Sequence, residues 1–317
     1  AAKGGWETIP TGKTIKPDMQ DPRLPLIAAR LQINGYLAAD YLVAEKDNNY
    51  PSYNDVLQTA VKKFQTSYNL EVDGIIGNGT LEQMNISAAQ RVEQIKANLE
   101  RVRWVKYNLS DEFVLVNIAG YKVYYFRNNQ LLWKSKVQVG KNYRKTPIFR
   151  DNIEYIVLNP TWTVPPTILA KDVLPKIKED PTYLQKKNMV VIDSNGKLID
   201  SKSIDWSAIN SKNFPYMIRQ EPGPKNALGR VKMMFPNKHL VYLHDTPSKG
   251  LFNKTDRAFS SGCIRVERPF ELVELLLKDN KQWNQTSFQS VLDSGQLKNV
   301  KLPKKVPVLL LYFTAQL

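Results

Sequence analysis

One thiol and one imidazole lie close together in this chain: Cys263, its only cysteine, and His244, one of its two histidines. A thiol becomes a nucleophile as its thiolate, and at a reference pKa of about 8.5 most of it is protonated at neutral pH. It therefore needs a base, and an imidazole is the usual one. Cys263 follows the turn-forming run Ser260-Ser261-Gly262 and precedes Ile264-Arg265-Val266, which alternates as a strand does. A glycine turn lets backbone N–H groups converge on one point, so those of Gly262 and Cys263 are expected to form an oxyanion hole. His244 closes the apolar run Leu240 to Leu243, read as a buried strand. On such a strand Tyr242 shares the His244 face, and His239 falls on the other with no catalytic role expected. Tyr242 is either a second oxyanion donor or an ordinary buried tyrosine. Arg265, two residues past the cysteine, either pairs a substrate carboxylate or makes a structural ion pair. Ser260 and Ser261 lack a base of their own and are expected to shape the turn.

These residues need a scaffold, and the pattern around them supplies one. From about Phe113 the chain runs in short alternating segments, 113–118, 123–126, 131–139 and 155–158, with turn residues between them. The strand signal returns at 230–235 and 238–243, and again at 303–311. Pro269 is a good first helical residue for the apolar stretch that follows it. Between 160 and 227 the pattern breaks into lysine-rich helices bounded by Pro165-Pro166 and Pro222-Gly223-Pro224, which reads as an insertion. The N-terminal third is helical: an extended lead-in over 1–21, helices near 22–37 and 53–68, and a third from Thr80. The second of these is expected to bury Val56, Ala60, Val61 and Phe64. Ser87 with Gln90 makes a capping box for a linker helix over 87–108 whose stripe is Val92, Ile95, Leu99 and Val102. The fold class expected is α+β: a mainly antiparallel, barrel-like β domain over 109–317 carrying a helical insertion, preceded by a small helical domain over 22–86.

A 42% hydrophobic content supports a sizeable core in more than one domain. The net charge of +15 favours an anionic partner. Nucleic acid is disfavoured, because no zinc-ligand spacing, RNP-like motif or basic heptad region accompanies that charge. A lone cysteine excludes an internal disulfide and a cysteine metal cluster, and no cofactor is called for. The longest apolar run, 306–313, is too short to span a bilayer, and no secretion signal opens the chain, so any anchor is expected in a missing N-terminal segment.

His244-Asp245-Thr246, then Ser260-Ser261-Gly262-Cys263-Ile264-Arg265-Val266 with 263 − 244 = 19 positions between histidine and cysteine, resembles the L,D-transpeptidase (YkuD-like) signature. Most members carry a second histidine where this chain has Ser261. The large periplasmic Gram-negative type is similar to this chain in having Ser-Ser-Gly-Cys. Over residues 22–86, Leu31-Gln32 with Asn34-Gly35-Tyr36, Ala60 to Gln65, and Val72 to Gly77 with Thr80-Leu81 resemble the peptidoglycan-binding type 1 domain, although the first Asp-Gly-x-x-Gly turn of some members is replaced by a polar loop.

The resemblance implies Cys263 as nucleophile, His244 as base and the Asp245 backbone carbonyl as the group that orients it. It implies that the 160–227 insertion is a lid, with Trp162 at its mouth touching substrate; packing within the lid is the other reading of that tryptophan. It implies a periplasmic enzyme that releases D-alanine from tetrapeptide stems of peptidoglycan and joins stems by 3→3 cross-links, and that β-lactams of the carbapenem class acylate. The same residues also fit an L,D-carboxypeptidase that uses water, or a wall-binding protein with an inert cysteine.

Overall fold

The computed structural model describes residues 5–42, 45–46, 50–106, 109–210 and 214–315, and divides into two compact units, with the boundary near Tyr107.

The first unit is built on helices Leu24–Ile33, Asp55–Ser67, Asn78–Asn85 and Ala88–Lys106. Leu24, Ile27, Leu31, Leu57, Val61, Phe64, Leu81 and Met84 form its core. The helix Asp55–Ser67 buries Leu57 in place of the expected Val56, which lies exposed. Asn54 caps this helix through its side chain, which accepts from the Leu57 N–H. The capping box of Ser87 and Gln90 forms in both directions. The lead-in is more than extended chain: Ile9 and Ile15 are fully buried in the same core, and Ile15 bridges to Ile76. The expected stripe of the linker helix does not pack; Val92, Ile95 and Leu99 are exposed, and residues 107–108 lie outside the described residues.

The second unit is organised by a nine-stranded sheet. The strand Gln130–Gly140 is long enough to pair three times, through its first half with Lys122–Arg127 and near its end with Ile264–Val266 and Ala258–Ser260. The sheet thereby closes on itself, as the barrel-like expectation required. Pairing is mostly antiparallel, with parallel exceptions at Leu243–His244 beside Ile264–Val266, at Lys298–Leu311 beside Glu112–Asn117 and at Ala258–Ser260 beside the end of Gln130–Gly140. Val114, Val116, Val137, Ile156, Leu158, Met233, Leu243, Ile264 and Val266 face the interior. The helix Pro269–Leu277 buries Leu272, Val273 and Leu276 against this core. The helix Gln285–Ser294, which no strong apolar period announces, adds Phe288 and Leu292 behind an Asn284 capping box.

The insertion has a hydrophobic core of its own, including Val164, Val173, Leu174, Ile177, Val191 and Ile218. It is not only helical. Short helices Leu174–Glu179 and Tyr183–Lys186 pack on a four-stranded sheet of Trp162–Thr163, Met217–Gln220, Met189–Ile192 and Leu198–Ile199. Two-residue strands leave almost no periodic signal, which is why half of this sheet is illegible in the sequence. Two buried asparagines pin the stems of the insertion. Asn226 donates to the Pro160, Gln220 and Glu221 carbonyls, and Asn159 donates to those of Val291, Leu292 and Gln296.

Candidate active site

Strand register gathers the site. Leu243 pairs with Ile264 and His244 with Arg265, which sets Tyr242 opposite Cys263. Side chains alternate across a strand, and paired residues point to the same face. Leu243, Ile264 and Met233 therefore enter the core, whereas Tyr242, His244, Cys263 and Arg265 share the opposite face. Lys232 pairs with His244 on one side and Gln138 with Arg265 on the other, so both join that face.

The run before His244 departs from the expected strand. Only Leu243–His244 is paired as strand, and Leu240 is 80% exposed with φ of 55°. Asn237 stabilises this turn: its side chain donates to the Phe235 and Val241 carbonyls and accepts from the His239 and Val241 N–H groups. His239 is exposed beside the Phe149 ring, away from the site face.

His244 is 3% exposed. Its Nδ1 lies 2.5 Å from the Asp245 carbonyl oxygen. A carbonyl only accepts, so Nδ1 carries the ring proton and Nε2 keeps its lone pair. Burial pushes the imidazole pKa down to about 3, and the charges of Arg265 and Lys232 act in the same direction; the Asp245 and Leu228 carbonyls pull the other way. The ring is thus neutral across the ordinary pH range.

The Asp245 carboxylate has a structural duty. It accepts from the Arg230 N–H at 3.0 Å and from Lys249 Nζ at 2.5 Å. Gly229 makes room for it, with φ of 61° and a position at which a Cβ would sit 2.2 Å from Asp245 Oδ2.

Cys263 is half-buried. Burial pushes its thiol up, against the Tyr242 N–H and hydroxyl and the charges of Lys232 and Arg265, which favour the thiolate. At rest the thiol donates to the Leu240 carbonyl at 3.7 Å, and no hydrogen bond joins it to His244 among the described residues. The two are diagonal neighbours on adjacent strands, so a rotation about χ1 of Cys263 redirects the sulfur along the same face.

The turn before the cysteine is held from three sides. Ser260 Oγ donates to the Cys263 carbonyl at 2.6 Å and accepts from the Gly262 N–H at 3.1 Å. Thr146 Oγ1 donates to the Gly262 carbonyl, and Arg144 Nη1 donates to Ser261 Oγ, each at 2.8 Å. Gly262 sits at φ of 119°, a conformation that favours glycine. Its N–H is taken up by Ser260, which corrects the expectation that it faces substrate. The Cys263 N–H has no acceptor among the described residues and is the open donor of the pair.

Sequence reasoning missed Lys232, Arg144, Thr146 and Gln138. A lysine in Val231-Lys-Met-Met reads as the solvent side of a strand, yet Lys232 is half-buried with Nζ 4.4 Å from the Tyr242 ring centroid. Burial lowers its pKa, and a Cys263 thiolate would raise it. Arg265 donates to Gln138 Oε1 at 3.2 Å, while its Nε is buried without a partner. Neither cation has a carboxylate within salt-bridge distance among the described residues, so the structural ion pair considered for Arg265 does not form. Arg144 also reaches the insertion, donating to Asp172 Oδ2 at 2.8 Å. Trp162 packs half-buried against the insertion's own core. Among the described residues no group of three or more His, Cys, Asp or Glu is placed to hold a metal, and no helix is long and apolar enough to cross a membrane.

With this geometry in place, two family profiles match the chain. The YkuD L,D-transpeptidase catalytic domain matches residues 111–286, more than half of the sequence, and a peptidoglycan-binding domain profile matches residues 20–84. The chain belongs to the L,D-transpeptidase family. A Haemophilus influenzae protein described as a candidate L,D-transpeptidase is 42% identical over 202 residues, covering 64% of this chain and 41% of that protein. The chain therefore spans well under half the length of this curated family relative. Among solved structures, an L,D-transpeptidase from Mycobacterium smegmatis covers 63% of this chain and 58% of its own, at 11% identity and a TM-score of 0.29. The catalytic domain of an Enterococcus faecium L,D-transpeptidase, acylated by ertapenem, covers 64% of this chain and 99% of its own, at 11% identity and a TM-score of 0.30. Scores this low bear on neither the fold nor the chemistry of this chain.

Proposed function

We propose that this chain is a cysteine-dependent L,D-transpeptidase of the large periplasmic Gram-negative type that forms 3→3 cross-links between peptidoglycan stems. The observation that carries the reading is the single sheet face on which a thiol, a neutral buried imidazole, a tyrosine and two unpaired cations meet. Cys263 Sγ attacks the carbonyl of the diaminopimelate L-centre as its proton passes to His244 Nε2. The Cys263 N–H, with Tyr242 beside it, stabilises the oxyanion. A thioester bond forms, the C–N bond to the terminal D-alanine breaks, and His244 returns the proton to the departing amine. The side-chain amine of a second stem then attacks the thioester, and the thiol is released with its proton. Arg265 and Lys232 supply positive charge for the carboxylates of the donor stem.

The lid reading of the insertion draws support from the Arg144 link between Asp172 and Ser261. A cover over the acyl-enzyme excludes water and favours aminolysis. Trp162 is assigned to packing within that lid. The peptidoglycan-binding profile supports a wall-bound, periplasmic enzyme, and a thiol of this kind is open to acylation by carbapenems.

Incubation with purified tetrapeptide donors tests the reading. Dimers with release of D-alanine are expected, abolished in Cys263→Ala. Tripeptides without dimers would make the chain an L,D-carboxypeptidase, and no product at all would leave only wall binding.

A further inference from the structure

The helical unit holds two arginines, Arg30 buried and Arg91 half-buried, with no acid to meet them. Arg30, on the helix Leu24–Ile33, is 1% exposed. Its Nε donates to the Met84 carbonyl at 2.9 Å, but Nη1 and Nη2 are both buried without a hydrogen-bond partner. Arg91, on the following linker helix, uses its terminal nitrogens on Gln83 and Gln94, while its Nε is likewise buried and unpartnered. The two guanidinium charges oppose each other: burial depresses the Arg30 pKa, with the Arg91 charge acting in the same direction. No carboxylate among the described residues contributes to either group. Burying an uncompensated cation costs several kcal/mol, and proteins rarely leave two together without a partner.

The surroundings are aromatic. Arg30 lies 3.5 Å from the Trp6 ring centroid, and Arg91 lies 4.5 Å from that of Tyr68. Tyr36 stands edge-on to Phe64 and, with Tyr68, acts electrostatically on both guanidinium groups. Trp6 belongs to the lead-in, which is latched by Trp6 Nε1 donating to the Ile86 carbonyl and by Asn85 bonding both the N–H and the carbonyl of Ile9. The indole therefore acts as a stopper over an arginine pair: it gives Arg30 a cation–π contact but none of the oxygen acceptors that its amino groups require.

We propose that Arg30 and Arg91, walled by Tyr36 and Tyr68 and covered by Trp6, form a carboxylate-binding pocket that takes an acidic stem peptide of peptidoglycan when Trp6 swings aside. The pocket rests on the wall-binding reading of this unit and gives it a ligand group. A planar carboxylate matches the guanidinium fork bidentately and satisfies the orphaned nitrogens, and tyrosine rings flank the peptide.

The full chain, labelled with ¹⁵N, tests this through the Trp6 indole N–H resonance, assigned with Trp6→Phe. Three probes are titrated: a free stem tetrapeptide, the same peptide with every carboxyl amidated, and inorganic phosphate. Retention on insoluble peptidoglycan is measured alongside. The tetrapeptide is expected to move the indole resonance saturably and the amidated peptide not at all. Arg91→Gln should weaken the effect at least tenfold, and Trp6→Ala, which lacks the reporter indole and is read by retention, should bind several-fold more tightly because no ring has to leave. A response to phosphate alone would overturn the carboxylate assignment. An unmoved indole with retention intact would overturn the pocket and spare wall binding. An unmoved indole with retention lost would sink both.

Discussion

Two regions of this molecule hold buried or half-buried cations that no carboxylate pairs, and their surroundings differ. On the sheet face, Lys232 and Arg265 stand beside a thiol and a tyrosine, and their charge favours the very anion that the site must create. In the helical unit, Arg30 and Arg91 stand beside aromatic rings. Elsewhere buried cations are satisfied from within the fold: Arg23 pairs with Asp21, and Arg257 donates to the Val137, Lys254 and Tyr121 carbonyls. The contrast separates charge used for folding from charge kept for ligands. A catalytic cation acts on a transient anion and must be held in register, which a strand provides. A binding cation waits for a ligand and can be covered meanwhile, which a latched segment provides.

The largest way to break this comparison is Arg265→Met. If Arg265 meets a donor carboxylate, kcat/KM for tetrapeptide donors should fall by about a hundredfold or more, as expected when one partner of a buried charge pair is removed. Folding stability should hold or rise, because an unpaired buried charge has gone. A stability loss with unchanged kinetics would make Arg265 structural.

The second effect uses pH. His244 has its pKa lowered to about 3 in the folded state, against about 6.5 unfolded, so below pH 6.5 the unfolded chain binds the extra proton. Its contribution to stability is therefore constant above pH 6.5 and declines as pH falls toward 3, by about 2 kcal/mol between pH 6.5 and pH 5. Hydrogen exchange of the catalytic strands should report that loss, His244→Gln should remove it, and the helical unit, which contains no histidine, should show none of it.

Lys232→Met comes third. Removing its charge should raise the thiol pKa further and slow alkylation of Cys263 by a simple haloacetamide by about tenfold at pH 8, measured as a rate against pH.

Much of the catalytic pair is legible in the chain itself, because scarcity and spacing single it out. One cysteine after Ser-Ser-Gly and one histidine ending an apolar run are visible in composition and pattern alone. The strands of the barrel are equally plain, since a half-buried strand alternates. What stays hidden depends on register. Lys232 looks like solvent-facing strand until pairing with His244 sets it on the site face, and Gln138 joins only through its pairing with Arg265. Arg144 and Thr146 lie in a loop whose destination, the turn 117 and 116 residues away, no local pattern encodes. The Leu240 turn passes for strand because four apolar residues mimic one. Trp6 is hidden for a related reason: a lead-in of glycine, proline and lysine gives no sign that its single tryptophan stacks on Arg30.

The central claim is that Cys263 is an acylable nucleophile served by His244, and intact mass spectrometry with peptide mapping after exposure to a carbapenem tests it most directly. A single adduct on Cys263 is predicted, absent in Cys263→Ala and formed at least about a hundredfold more slowly in His244→Ala. No adduct, an adduct that survives Cys263→Ala, or an unchanged rate in His244→Ala would contradict it.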